Sequence, residues 1–391
     1  MTAHAPIDQD ASGTPTALAP ILFLGFAIAS IGGPIALLTL LPGAAGENLD
    51  SAGLVVLLAL VLFAAPLAIW LAYSRRVVSP GGLSAFVAAA AGRRAALIQG
   101  WVWAFAYFLY LPYTVTFVVY DLLPPVFPGI SPYRASLELL LPVGLVIFAL
   151  APVRWVLAVL GLLASAQLVA MLVLARVVQS HTATTLAAEP ELKGTGRAAA
   201  TTALLFVCAS LPLYLGAEVR GGSRTIRIGL AAAVATVGAV FFISSIPLAG
   251  IPGELRNAAV PGAAIAQAYS GRELAVVVGL LTVGSTLALI VAEYLALARL
   301  VHWLHGPPVR SVLRWIAVPF IAADAISLVN PDRFYADLLK ISLGALYLSQ
   351  LIVFVVFTRF RRGVVAVGVA TVASGLAIWG LYLLVAGGAS T

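Results

Sequence analysis

Residues 17–41 read ALAPILFLGFAIASIGGPIALLTLL, an apolar block interrupted once, at Ile31-Gly32-Gly33-Pro34. About 20 apolar residues cross a bilayer as a helix, so the block reads as a membrane span. Its middle resists helical winding, because two glycines loosen the backbone and Pro34 lacks an N–H. Unwound backbone is tolerated at membrane depth only where it is buried in protein or lines an aqueous cavity. The stretch therefore predicts a discontinuous helix facing an interior site.

Similar blocks fill the rest of the chain. Of 391 residues, 62% are hydrophobic and 9% charged, against about 25% charged in soluble domains. Twenty-two Lys+Arg and 15 Asp+Glu are too few to coat a water-soluble surface of this size. A soluble enzyme, a disordered chain and a nucleic-acid-binding domain are excluded. A polytopic membrane protein surrounded by lipid is predicted. Cys208 is the single cysteine, which rules out an intrachain disulfide or a CxxC site. His4, His181, His302 and His305 are scattered; no cofactor is expected, and His302/His305 could at most hold a metal weakly. Residues 1–16 contain Asp8 and Asp10 but no Lys or Arg. They lack the basic region of a signal peptide, so the first block is expected to remain as a span.

Eleven spans are predicted, at roughly 17–41, 52–73, 95–120, 136–151, 154–177, 199–218, 228–250, 272–301, 311–329, 335–358 and 364–386. Alternate loops carry Arg75, Arg76, Arg93 and Arg94; Arg154; Arg220, Arg224 and Arg227; Arg299, Arg310 and Arg314; and Arg359, Arg361 and Arg362. The opposite loops carry Glu47, Asp50, Asp121, Glu189, Glu191, Glu254 and Asp332. Short cytoplasmic loops hold the Lys/Arg excess, which places the N-terminus in the cytoplasm of a cell membrane and the C-terminus outside.

Span six contains a second interruption, Pro212 to Gly216, followed by Glu218 and Gly221-Gly222. Spans one and six run in opposite directions, so spans 1–5 and 6–10 can be inverted copies, each opening with a broken helix. The expected organisation is a tail at 1–16, a five-helix repeat at 17–177, an external loop at 178–198, a second repeat at 199–358, and an eleventh helix with an external end at 359–391. Ordinary Pro/Gly kinks are the competing reading. Matched interruptions in two halves point instead to a transporter's midplane site.

Several motifs carry a resemblance. Pro80-Gly81-Gly82-Leu83-Ser84 through Gly92-Arg93-Arg94 to Gly100-Trp101 resembles the loop into helix three of the amino acid–polyamine–organocation superfamily. Gly216-Ala217-Glu218 resembles that family's G-F-E at the break of helix six, and Ser223-Arg224-Thr225-Ile226 its approach to helix seven. Ala298-Arg299-Leu300-Val301 resembles the end of helix eight. A single helix after the ten-helix repeat is similar to the short bacterial amino-acid exporter branch. The resemblance implies an all-α fold of about eleven helices with a LeuT-like 5+5 inverted repeat. Two departures stand out: the family's helix-one G-S-G is Gly32-Gly33-Pro34 here, and about two turns after Glu218 are missing.

Candidate residues follow from what a dehydrated zwitterion needs. Its carboxylate suits a half-helix N-terminus, here the amides of Ile35 and Ala36 after Ile31, Gly32 and Gly33. Its ammonium suits carbonyls at the break from Tyr214 to Gly216. Trp103, Tyr107 and Tyr110, at i, i+4, i+7 on span three, line the cavity by that resemblance; otherwise they serve as membrane-interface anchors or core filler. For coupling, Glu218 lies beside the break; its bland alternative is a boundary pair with Arg220 or Arg224. Glu293 shares a helix face with Gly279, Thr282 and Thr286; its alternative is a structural pair with Arg299 or with a partner helix. Ser285 and Thr286 could supply hydroxyl ligands to sodium. Some members of the resembling family place a Lys in helix five, where this chain has Gln167. Asp337 and Lys340 are expected to neutralise each other, and Asp324 to make a peripheral hydrogen bond.

The expected function is secondary active transport of amino acids, neutral and apolar ones first, by alternating access. Coupling to protons or exchange is favoured over sodium, and export is as compatible as import. A polyamine or organic-amine transporter is the alternative, and an integral membrane enzyme a more distant one.

Overall fold

The computed structural model describes residues 17–182 and 192–387. The expected tail 1–16, the loop carboxylates Glu189 and Glu191, and residues 388–391 lie outside the described residues. The first apolar block forms α1 (Pro20–Ala29) and α2 (Pro34–Ala45). Between them Gly32 and Gly33 hold φ at +62° and +63°, a region that residues with a Cβ enter only at a cost. The winding stops there. Pro34 restarts it at the first helical position, where a missing N–H is no loss.

A 3₁₀ turn leads into α3 (Ala52–Tyr73), followed by α4 (Gly82–Ala91) and α5 (Arg93–Phe117). A π-wound turn and α6 (Leu123–Val126) lead through another 3₁₀ turn to α7 (Arg134–Ala149) and α8 (Val153–Gln179). The second half opens with α9 (Leu192–Leu204) and a 3₁₀ stretch at Val207–Glu218. It continues as α10 (Gly222–Ser245), the short α11 (Gly253–Arg256) and α12 (Pro261–Ser270). Then come α13 (Arg272–His305), α14 (Val309–Ser327), α15 (Pro331–Phe360) and finally α16 (Val364–Gly387).

Nine segments among the described residues are long and apolar enough to cross a membrane. Two differences separate them from the eleven expected. Expected spans one and two fall within one 54-residue stretch, Pro20–Tyr73, counted once because only a 3₁₀ turn separates α2 from α3. Expected span nine, α14, carries Arg310, Arg314 and Asp324 within 19 residues, too much charge for a hydrocarbon-facing helix.

Packing repeats across the two halves. Span two lies on span six (α3 on α9) and span seven on span one (α10 on α1). Span three lies on span ten (α5 on α15) and span eight on span five (α13 on α8). Spans three and eight also meet directly, as do spans four and nine. The connections repeat too. A 10-residue helix, α4, ends at Gly92 (φ +85°) before Arg93 opens α5, and another 10-residue helix, α12, ends at Gly271 (φ +93°) before Arg272 opens α13. Close approach of α1 to α8 rests on a glycine pair: a Cβ at Gly25 would lie 2.9 Å from the Gly161 Cα. Small residues serve this way wherever membrane helices pack closely.

Candidate functional site

The two interruptions meet. A Cβ on Gly32 would sit 3.1 Å from the Leu205 carbonyl oxygen, so the break in span one lies against span six where α9 ends. Expected span six breaks at Pro212–Gly216; the α-winding instead ends at Leu204 and tightens to 3₁₀ from Val207 through Glu218. Pro212 and Gly216 lie inside that tighter winding. Gly216 packs on Ile226 and Val78, where an added Cβ would come within 2.8 Å of the Ile226 Cδ1. Its carbonyl accepts from the Val219 amide. The carbonyl of Gly216, expected in an ammonium site, thus already has a backbone donor.

Of the two amides expected to be free at the start of α2, that of Ala36 donates to the Gly33 carbonyl at 2.9 Å. The i→i+3 bond forms because Gly33 turns its carbonyl back over the first turn. Ile31, Ile35 and Ala36 are all buried. Gly33 lies against α13: a Cβ there would fall 2.0 Å from the Ser285 Oγ and 2.9 Å from the Ser285 carbonyl oxygen. The Ser285 hydroxyl is buried without a hydrogen-bond partner. The neighbouring Thr286 hydroxyl donates to the Thr282 carbonyl at 3.1 Å, and that of Thr282 to the Val278 carbonyl at 2.9 Å. The polar stripe of α13 faces the interior, yet its threonines bond to their own helix.

Beside the breaks lies a cavity of about 30 Å³ lined by Tyr107, Tyr110, Cys208, Glu293 and Ser342 among others. That is room for about one water molecule. Glu293 is fully buried. Its Oε1 accepts from the Cys208 thiol at 3.9 Å, and Oε2 has no hydrogen-bond partner. The Tyr107 hydroxyl in turn donates to the Cys208 sulfur at 3.7 Å. Trp103 and Tyr107 are buried, with Trp103 ring centroids 4.1 Å from Tyr107 and 4.4 Å from Tyr214. Burial removes the interface-anchor reading for both and is equally what core filling requires. Gln167, on α8, is also buried, and its Oε1 has no partner.

Glu218 occupies a different place. Arg299 Nε donates to its Oε1 at 2.6 Å and Nη2 to its Oε2 at 2.9 Å. This replaces the boundary pair with Arg220 or Arg224, and it gives Arg299 a carboxylate other than Glu293. The fork forms because Arg299 lies nearly buried on α13, facing the end of the 3₁₀ stretch. The same end is tied to the start of the chain: the Leu18 amide donates to the Glu218 carbonyl at 2.7 Å and the Arg220 amide to the Leu18 carbonyl at 3.0 Å.

Two smaller expectations change. Asp337 pairs with Arg333, one turn earlier, at 3.5 Å rather than with Lys340; both groups are exposed, and such pairs contribute little. His302 Nδ1 lies 2.7 Å from the Pro307 carbonyl and the His305 ring stacks near Trp101, so the two histidines serve separate local contacts. Sequence reasoning missed Cys208 as a cavity residue and missed Glu138, a fully buried carboxylate on α7. A lone Glu inside an apolar span was the available signal for the latter.

No protein-family model matches the chain, and no curated protein matches its sequence. Solved structures do match in fold. A Na+-coupled sialic acid symporter in a substrate-bound outward-open state aligns with a TM-score of 0.58 at 10% identity, over 93% of this chain and 89% of that one. The Eremococcus coleocola manganese transporter aligns with a TM-score of 0.60 at 12% identity, over 99% and 90%. MhsT, in complex with L-phenylalanine, aligns with a TM-score of 0.60 at 14% identity, over 92% and 97%. The chain is an all-α, multi-pass protein of the LeuT fold, with discontinuous helices and inverted-repeat packing. The likeness extends to several transporter families and does not single out the one resembled by the motifs.

Proposed function

We propose that this chain is a secondary active transporter that moves amino acids, neutral and apolar ones first, across a cytoplasmic membrane by alternating access. The observation that carries the reading is the meeting of two helix breaks, Gly32 against the Leu205 carbonyl, beside a cavity walled by Tyr107, Tyr110, Val207, Cys208 and Glu293, with Trp103 packed behind Tyr107. Interrupted helices supply peptide dipoles to a charged solute at mid-depth. The aromatic and aliphatic wall suits an apolar side chain, and the motifs of the amino acid–polyamine–organocation superfamily support the same class. The fold likeness to MhsT bound to L-phenylalanine agrees with it.

A cavity of about 30 Å³ is too small for an amino acid, so the breaks must part to admit one. Opening at the Arg-rich end requires Arg299 to release Glu218 and Leu18 to leave its two backbone bonds. In this scheme the Arg-rich end faces the cytoplasm. Glu293 is the proton carrier: a fully buried carboxyl with an unpartnered oxygen, at the cavity rather than at its rim. Intramembrane ionisable groups of this kind mark ion pathways.

Sodium coupling is the second reading, and one observation favours it. The unpartnered Ser285 hydroxyl faces the unwound backbone at Gly33, an arrangement of oxygen atoms that suits a small cation. Counterflow in proteoliposomes with a panel of labelled amino acids and amines tests the function, repeated with imposed proton and sodium gradients. Saturable counterflow of an apolar amino acid, enhanced by a proton gradient, is expected. Absence of saturable counterflow for every amino acid and amine discards the reading.

A further inference from the structure

Two buried carboxyls lie apart from the breaks, where α5, α7 and α14 meet. Glu138 on α7 and Asp324 on α14 are both fully buried. Glu138 Oε1 accepts from the Thr116 hydroxyl of α5 at 2.5 Å and from the Ser327 hydroxyl of α14 at 2.7 Å. Its Oε2 has no partner, and neither oxygen of Asp324 has one. Ser327 Oγ also lies 2.7 Å from the Asp324 carbonyl oxygen and shares its one hydrogen between the two acceptors, which puts the Asp324 turn beside Glu138; Glu138 is a charged neighbour of Asp324.

Among the described residues, no basic side chain forms a salt bridge or hydrogen bond to either carboxyl. Arg134, one turn before Glu138, instead places its guanidinium 5.2 Å from the Tyr120 ring centroid. Tyr120 lies near Glu138, Arg134 and Asp332, and Asp121 near Arg134 and Asp332. On the other packed elements, Glu293 of α13 faces Cys208, while Arg310 and Arg314 of α14 stand about 15 Å or more along the helix from Asp324. Two ionised carboxylates here would place two like charges away from water, which burial strongly disfavours. A proton held by the pair neutralises one of the two charges and removes their mutual repulsion. The hydroxyls of Thr116 and Ser327 can each donate to an oxygen that is ionised or accept from one that is protonated.

We propose that Glu138 and Asp324 form a proton-binding carboxyl pair at this junction, distinct from the substrate cavity. The proton belongs to the pair rather than to either residue. Thr116 ties it to α5, the helix that also carries Trp103 and Tyr107.

The test is infrared spectroscopy of the purified full chain in lipid nanodiscs at neutral pH, reading the carbonyl stretch of protonated carboxylic acids and its shift in heavy water. Glu293→Gln removes the contribution of the cavity carboxyl. A band that survives in Glu293→Gln and is lost when Glu138→Gln and Asp324→Asn are added is the expected result. No band in Glu293→Gln overturns the proposal, as does a band unchanged by the added substitutions. A second measurement needs no carboxyl-band assignment: melting of the wild type with sodium, potassium or lithium chloride against choline chloride. A melting point unaffected by the cation supports a proton. One that rises with an alkali cation in wild type but not in Asp324→Asn shows that a metal ion fills the pair and overturns the proton assignment.

Discussion

Arg299 holds Glu218 through two parallel bonds, Nε to Oε1 at 2.6 Å and Nη2 to Oε2 at 2.9 Å, with the arginine almost wholly out of water. The planar fork of a guanidinium matches a carboxylate in a way a lysine does not. The pair joins the end of span six to span eight, and the backbone bonds from Leu18 add span one. Three elements are fastened at one point, and the proposed transport cycle requires them to separate there.

Removing one partner tests the latch. Glu218→Gln leaves Arg299 buried without its carboxylate, a loss of about 3–5 kcal/mol for a buried pair. Cys208 is the single cysteine and lines the cavity, so its labelling by a maleimide reports opening without further engineering. Glu218→Gln is expected to lower the melting temperature and raise the labelling rate at least tenfold. Replacing both partners with leucine is expected to recover stability beyond the single variant. Labelling as slow as in the wild type would show that the pair does not close the path.

Gly33→Ala tests the close approach of the broken helix to α13. The added methyl would meet both the hydroxyl and the carbonyl oxygen of Ser285. A left-handed φ costs a residue with a Cβ on the order of 1–2 kcal/mol before any clash, and overpacking adds about 1–3 kcal/mol. A fall in melting temperature and loss of most counterflow are expected. The same substitution at Gly43, where a Cβ meets nothing within 4 Å, is expected to leave both nearly unchanged. Equal effects at the two positions would remove the contact from the argument.

The first break was legible because its cause is local: Gly32-Gly33-Pro34 cannot wind whatever surrounds it. The second was misplaced because its cause is tertiary. Nothing in Thr202-Ala203-Leu204-Leu205-Phe206 marks a break, yet the helix ends there, beside Gly32. Pro212 and Gly216, the visible punctuation, fall inside a 3₁₀ stretch. The residue types at Trp103, Tyr107 and Glu293 drew notice, while their convergence on Cys208 required three helices to be placed at once. The helix α12 was hidden in an expected loop, although Gly271-Arg272 repeats Gly92-Arg93 at the matching point of the other half. Charge pairing was the least legible layer. Arg299 had several carboxylates within sequence reach, and only packing selects Glu218.

Trp103, packed behind the cavity residue Tyr107, gives a prediction that separates shape from chemistry. Trp103 is fully buried between Tyr107 and Tyr214, so Trp103→Ala leaves a cavity and costs about 3–5 kcal/mol. Tyr107→Phe keeps the ring and removes only the hydroxyl that reaches Cys208, a change of about 1 kcal/mol or less. Trp103→Ala is expected to lower the melting temperature by several degrees and to shift preference in the counterflow panel toward bulkier side chains. Tyr107→Phe is expected to leave the melting temperature within about a degree of the wild type. An unaltered substrate order in Trp103→Ala would place the side-chain pocket elsewhere.

Glu293→Gln addresses the drive rather than the path. The substitution preserves volume and replaces an oxygen that has no hydrogen-bond partner, so the fold and exchange of substrate for substrate should persist. What a glutamine cannot do is carry a proton across. In proteoliposomes with the outside made acidic, wild-type uptake is expected to rise above its value without a gradient, because protonation on the acidic side and release on the other move substrate with the proton. The variant's uptake is expected to be the same with and without that gradient, and its counterflow to stay within about twofold of the wild type. Continued acceleration by the gradient would move the proton site away from Glu293. If a sodium gradient drives both proteins equally, and Ser285→Ala abolishes that drive, the cation held against Gly33 carries the coupling instead.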